Sequence, residues 1–122
     1  MKITSLYPIY LAEASLVDAD VDALKMVGFE EKHHFTDIDG TDVHVLRTSS
    51  DTRIDVFANN KITDKPGLYG LRVNVDNLDE FIEFTTSIGF KKNSEIEVTD
   101  TNRSVYMESA SGLKVWFIEH IK

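Results

Sequence analysis

The sequence predicts an α+β fold of two tandem βαβββ modules, forming a curved mixed sheet around a cup-shaped cavity with helices outside. Three observations carry this. Residues 67–90, GLYGLRVNVDNLDEFIEFTTSIGF, read as strand, cap, amphipathic helix and stop. An earlier stretch carries the same order. Each helix is then followed by strand-like segments separated by turn residues.

In the clearer unit, Leu71, Val73 and Val75 alternate with Gly70, Arg72 and Asn74, as on a strand with one apolar face. Asn77 with Glu80 three residues later makes a capping-box-like helix start. Leu78, Phe81, Ile82, Thr85 and Ile88 fall on one helical face, and Gly89 provides the stop.

From the start of the chain, residues 6–11 read as extended. Ser15 with Asp18 is expected to repeat the cap, and Val17, Val21, Leu24 and Val27 the helical stripe, with Gly28 as the stop. The acids Asp18, Asp20 and Asp22 suit the positive end of that helix dipole. Residues 29–38 and 41–47 read as a hairpin about Asp39-Gly40, with Val43 and Val45 on one side and His44 and Leu46 on the other. Residues 53–57 read as a third strand. Residues 60–66 are polar, contain a proline, and read as a linker between modules 1–59 and 67–122 of a single 1–122 domain. In the second module, strands are expected at 67–75, 90–99, 104–109 and 113–118 around a helix at 78–88.

The repeat is visible by position. Leu6-Tyr7 matches Leu68-Tyr69 and Ser15 matches Asn77 at an offset of 62, while Gly28-Phe29 matches Gly89-Phe90 at 61. At 61, Ile54 and Val56 fall on Val115 and Phe117. One such half-open unit cannot bury both sheet faces, so two must share the task.

Composition excludes several classes. The formal net charge of −8 argues against nucleic acid as a partner and slightly favours a cationic ligand. With no cysteine there is neither a disulfide framework nor a thiolate nucleophile. No stretch approaches the roughly 18 apolar residues of a spanning helix, and residues 1–10 lack the pattern of a signal peptide, so a cytoplasmic protein is expected. Neither GxSxG, GxGxxG nor a P-loop is present.

The doubled pattern of strand, cap, helix and Gly-Phe, with SASGLKVWFIE near the C-terminus standing where the family has its DPDG turn and last strand, resembles the vicinal oxygen chelate superfamily of glyoxalase I, extradiol dioxygenases and bleomycin-resistance proteins. The resemblance implies a divalent metal held by one ligand from the first strand and one from the last strand of each half. Those positions fall on Gly70 and Trp116 in the second half. In the first half they fall on Asp55 and on Pro8, or on Tyr7 if the gap is placed earlier. Only Asp55 can ligate well, so neither a metal nor another cofactor is expected.

Rearranged ligands are harder to support. His33 and His34 must point to opposite strand faces, His44 has no obvious partner, Glu119 points away from the face of Trp116, and His120 is near the chain end.

If the apolar sets pack under the helices, the opposite faces line the cup. Tyr10, Arg53, Asp55, Phe57, Arg72, Asn74 and Trp116 are then the candidate ligand-binding residues, an aromatic surface with sparse polar groups. Trp116 and Phe57 either stack a planar or cationic ligand or simply fill the cup. Asp55 either meets a ligand cation or pairs internally with Arg72 or Arg53. The expected function is metal-free binding of a small, cationic or aromatic molecule, as in the bleomycin-resistance members, which act by sequestration. A homodimer is implied by resemblance only. The alternative is a metal-dependent lyase, isomerase or dioxygenase with a rearranged metal site.

Overall fold

A computed structural model of the chain describes residues 1–37, 39–59, 61 and 64–121. The expected strand end at Ile38, much of the 60–66 linker and the final residue lie outside the described residues. The elements follow the order β1 (Ile3–Leu11), α1 (Val17–Met26), β2 (Glu30–Thr36), β3 (Asp42–Arg47), β4 (Arg53–Ala58), β5 (Gly67–Val75), α2 (Leu78–Ser87), β6 (Lys91–Lys92), β7 (Glu97–Val98), β8 (Asn102–Glu108) and β9 (Lys114–His120). The fold is therefore α+β with a βαβββ order in each half. Two compact units divide the chain, Tyr7–Tyr69 and Met1–Leu6 with Gly70–Lys122. Among the described residues, no helix is long and apolar enough to cross a membrane.

In the first unit the strands run β2-β3-β4-β1. β1 and β4 are parallel, while β2-β3 and β3-β4 are antiparallel. α1 places Val17 and Val21 on Leu46, Val56 and Ala58, with Ile54, Leu24 and Phe29 at the margin. In the second unit the order is β5-β9-β8-β6, with β7 also on β8. α2 places Leu78 and Phe81 on Val73, Val75, Val105, Met107, Val115 and Phe117. The apolar sets expected under the helices are the ones found there. In each module the first and last strands pair in parallel, as the crossover through the helix permits.

Both helices end alike. Gly28 and Gly89 have φ of 119° and 104°, and the next amides, Phe29 and Phe90, donate back to Leu24 and Thr85 at 3.0 and 2.9 Å. This is the glycine C-cap that the sequence signals.

Three expectations need correction. Ser15 does not cap α1: the N-cap is Leu16, with no side-chain bond, and Ser15 Oγ donates to Glu13 instead. The expected strand over 90–99 is broken into β6 and β7, because Ser94 Oγ accepts the Tyr106 amide that a continuous ladder would engage. The third concerns the register of β1. Ile9 pairs with Asp55 and Tyr10 with Val56, so Tyr10 joins the face covered by α1. Taking Asp55 and Trp116 as equivalent, Ile9 corresponds to Arg72, 63 positions on, whereas the helix starts Val17 and Leu78 are 61 apart. Two extra residues lie between β1 and α1. That single slip displaces both Ser15 and Tyr10, since a one-residue shift reverses every side chain on a strand.

Candidate functional site

Among the described residues, a group of metal-competent side chains lies on the hairpin of β2 and β3. Coordinating atoms of Glu31, His34 and His44 all lie within 4.8 Å of one another. The ladder explains how. His34 pairs directly with His44 across the strands, and the rings stack with centroids 3.8 Å apart and planes 19° apart. Glu31, three residues before His34, would face the other way on a regular strand. Between Glu31 and His33 the register shifts by one residue, a bulge that restores Glu31 to the His34 face. His44 pairs with Val56, so this is the face that α1 covers.

The group is tightly hydrogen bonded. His44 Nδ1 lies 2.6 Å from Glu31 Oε2, and its Nε2 3.1 Å from Asp42 Oδ2. His34 Nε2 lies 2.6 Å from Asp42 Oδ1. The His44 side chain is 4% exposed, while those of Glu31 and His34 are 25% and 50% exposed. The sequence reading left His44 without a partner. It has three, Glu31, Asp42 and His34, and the bulge is what hides Glu31. His33 and His34 do point to opposite faces, pairing with Val45 and His44.

The positions where the superfamily holds metal do not fit one here. The register makes Tyr7, not Pro8, the first-strand position of the first module, and Arg53 lies over its ring at 3.9 Å. Asp55 is fully buried, and Arg53 Nε and Nη2 donate to its two oxygens at 2.7 and 3.1 Å. Gly70 offers no donor, and even a Cβ there would collide with the Lys114 carbonyl. Trp116 stacks on Tyr106 at 5.1 Å with the planes 5° apart. No catalytic step through a metal at these positions follows from such a set.

The remaining candidates fall into two local groups. In the first module Arg53, Asp55 and Phe57 share the face away from α1 with Ile9, Val43 and Val45. Asp55 is paired with Arg53, one of the internal partners expected for it. Tyr10 is not in this group; it lines a small cleft with Asp20, Ala23, Leu24 and Ile54. In the second module Arg72 and Tyr106 flank Trp116 as its cross-strand neighbours, with the Arg72 guanidinium 5.0 Å from the indole ring. Asn74 Nδ2 donates to Ser5 Oγ. Glu119 faces the helix side, where it accepts the Leu78 amide at the start of α2 at 2.7 Å.

No family model matches this sequence, and no curated protein does. Solved structures match over nearly the whole chain. Methylmalonyl-CoA epimerase from Mycobacterium tuberculosis has a TM-score of 0.77 at 17% identity, covering 98% of this chain and 90% of that one. A variant of the Streptomyces coelicolor methylmalonyl-CoA epimerase, in complex with 2-nitronate-propionyl-CoA, gives 0.75 at 13%, covering 97% and 95%. A mutant of 4-hydroxymandelate synthase from Streptomyces coelicolor gives 0.70 at 8%, covering 94% of this chain and 48% of that one. At these identities the likeness is one of fold. Strand order, parallel first and last strands in each module and these matches agree: the chain has the vicinal oxygen chelate fold.

Proposed function

We propose that this chain carries out metal-assisted chemistry on a small organic molecule, of the isomerase, lyase or dioxygenase kind, with its metal on Glu31, His34 and His44. The observation that carries this is the convergence of three metal-competent side chains, with a buried imidazole as anchor and two partners open to solvent. Two imidazoles and a carboxylate are a ligand set of the sort catalytic zinc sites use, with a coordination position left for substrate or water. Epimerases among the matching structures support a reaction at an acidic carbon, and one is held with an acyl-CoA analogue. The test is deuterium exchange at the α-carbon of short acyl thioesters, followed by mass spectrometry with metal-loaded and chelated protein. Exchange that needs the metal is expected. Equal exchange with and without metal, or none with any thioester, defeats the reading for this substrate class.

A second reading, metal-free binding by sequestration, is favoured by the usual metal positions, which hold a stacked tyrosine, a paired aspartate, a glycine and a tryptophan. The net charge of −8 also favours a cationic ligand over a polyanionic coenzyme. Arg72 and Trp116 are its ligand contacts in the second module, backed by Asn74, and Arg53 is that in the first, backed by the buried Asp55 and Phe57. Trp116 is the only tryptophan, so saturable change of its fluorescence by cationic aromatic compounds, in chelated protein, is the expected signal. A flat response across such a screen counts against it.

A further inference from the structure

We infer that Asp42 is the positioning residue of a centre for a borderline divalent cation such as Zn²⁺ or Co²⁺, holding both imidazoles by Nε2 so that Nδ1 of each is left for the cation, that of His44 beside the Glu31 carboxylate. The inference deepens the metal-assisted reading and rests on it for any chemistry, but the cation site has its own readout.

The argument begins with what a carboxylate can do. It only accepts hydrogen bonds. Asp42 Oδ1 faces His34 Nε2 and Asp42 Oδ2 faces His44 Nε2, so each ring can donate to it from Nε2, the tautomer that leaves Nδ1 for a cation. The coordinating atom left on each ring is Nδ1. One carboxylate thus sets the tautomer of two histidines at once, the outer-shell role that metal-bound imidazoles commonly require. His44 Nδ1 points at Glu31 Oε2, and a cation bound there takes the place of the proton between them.

Size and softness choose the ion. Tetrahedral Zn²⁺ with ligands near 2.0–2.1 Å needs donor atoms about 3.3 Å apart. The donors here lie within 4.8 Å and the two rings are stacked nearly parallel, so closing the site takes rotation of the two solvent-open side chains, with Glu31 turning toward the buried His44 and His34 turning out of the stack so that its ring lone pair converges on the same ion. Two nitrogens and one carboxylate suit zinc, cobalt or nickel, whereas calcium and magnesium prefer an all-oxygen shell. The bulge before His33 is what makes three ligands possible rather than two, and bulges recur where a strand must re-aim a side chain. The site faces α1, the side of the sheet opposite Asp55, and is therefore separate from the first module's usual metal positions.

The experiment is Co²⁺ titration of chelator-stripped protein, read by visible absorption and calorimetry, with Zn²⁺ as competitor. Wild type is expected to bind one Co²⁺ per chain, with the d–d bands of a four- or five-coordinate ion, and to lose them to Zn²⁺. Asp42→Asn keeps the size but can accept from one ring only. Its affinity is expected to fall about 10–100-fold with a changed spectrum, and Asp42→Glu to recover part of it. Glu31→Gln and His34→Gln change solvent-open side chains and keep the test readable if the Asp42 variants fold poorly; each is expected to remove stoichiometric binding. Binding that survives His34→Gln, or no stoichiometric binding at all, overturns the site. Unchanged affinity in Asp42→Asn overturns the positioning role. Stoichiometric cobalt with no turnover ends the enzyme reading and leaves this inference standing.

Discussion

The two modules share an order of elements but fill equivalent places with different chemistry. Arg53, Asp55 and Phe57 of β4 stand where Lys114, Trp116 and Ile118 stand in β9. The first module closes that face with a buried ion pair beside apolar side chains. The second closes it with a tryptophan between Tyr106 and Arg72. Their outer strands differ as well: β2 is continuous with one bulge and carries the histidine cluster, whereas its counterpart is cut into β6 and β7 around Ser94. The βαβββ pattern requires an apolar face toward each helix and a parallel first and last strand. It leaves the other positions open to separate solutions in each half.

The ion pair offers the largest test of that contrast. Arg53→Met removes the two-bond partner of the fully buried Asp55 carboxylate and is expected to cost about 3–5 kcal/mol. Lys114→Met, at the equivalent place, removes a longer contact to Glu108 at 4.0 Å from a more exposed side chain and is expected to cost less, about 1 kcal/mol. Urea denaturation of the two variants measures both. Equal losses would mean that the pair is not what distinguishes the modules.

Next comes the first strand. Tyr7 has room for a whole ring under Arg53, while its equivalent Gly70 has no room for a methyl group against the Lys114 backbone. Gly70→Ala is expected to destabilise by about 1–3 kcal/mol through overpacking. A neutral result in the same denaturation assay would show that β9 can retreat, and that the asymmetry is one of side-chain choice alone.

The limits of the sequence follow from the same asymmetry. Alternation marks two faces on a strand, and the faces of β3, β4, β5 and β9 were legible that way, as were the Gly-Phe helix ends. Which residue stands opposite which is decided by the ladder, and a repeat matched by Leu6-Tyr7 and Leu68-Tyr69 put β1 one residue out. Tyr10 then landed on the wrong face and Ser15 on the wrong cap. The cluster at Glu31, His34 and His44 was hidden for a related reason. Three-residue spacing on a strand means opposite faces until a bulge intervenes, and nothing in EEKHH announces one.

The helix starts give a smaller test. Asn77 Oδ1 accepts the Glu80 amide at 3.2 Å, whereas Ser15 bonds only Glu13. Asn77→Ala is expected to cost about 1 kcal/mol, and Ser15→Ala under about 0.5 kcal/mol. Thermal melts of the two variants should separate them. A matching loss from Ser15→Ala would restore the symmetric cap that the sequence suggested.

The smallest effect lies where the N-terminal residues join the second unit. The Lys2 amide donates to Asp76 Oδ1 at 2.8 Å, and the Asp76 amide donates back to the Lys2 carbonyl at 3.1 Å. The first of these bonds holds the Asp76 carboxyl below its ordinary value of 3.8. A folded value below the unfolded one means that this contribution is complete above pH 3.8 and is lost as pH falls through the lowered folded value. Asp76→Asn keeps an oxygen to accept from Lys2 but cannot titrate. Its melting temperature is therefore expected to lie slightly below that of wild type at neutral pH and to fall less steeply as the solution is acidified below pH 3.8, so that the two converge. Parallel acid limbs for the two proteins would show that the clasp adds nothing to folding, and that the backbone bond from Asp76 to Lys2 suffices to hold the start of the chain against the second unit.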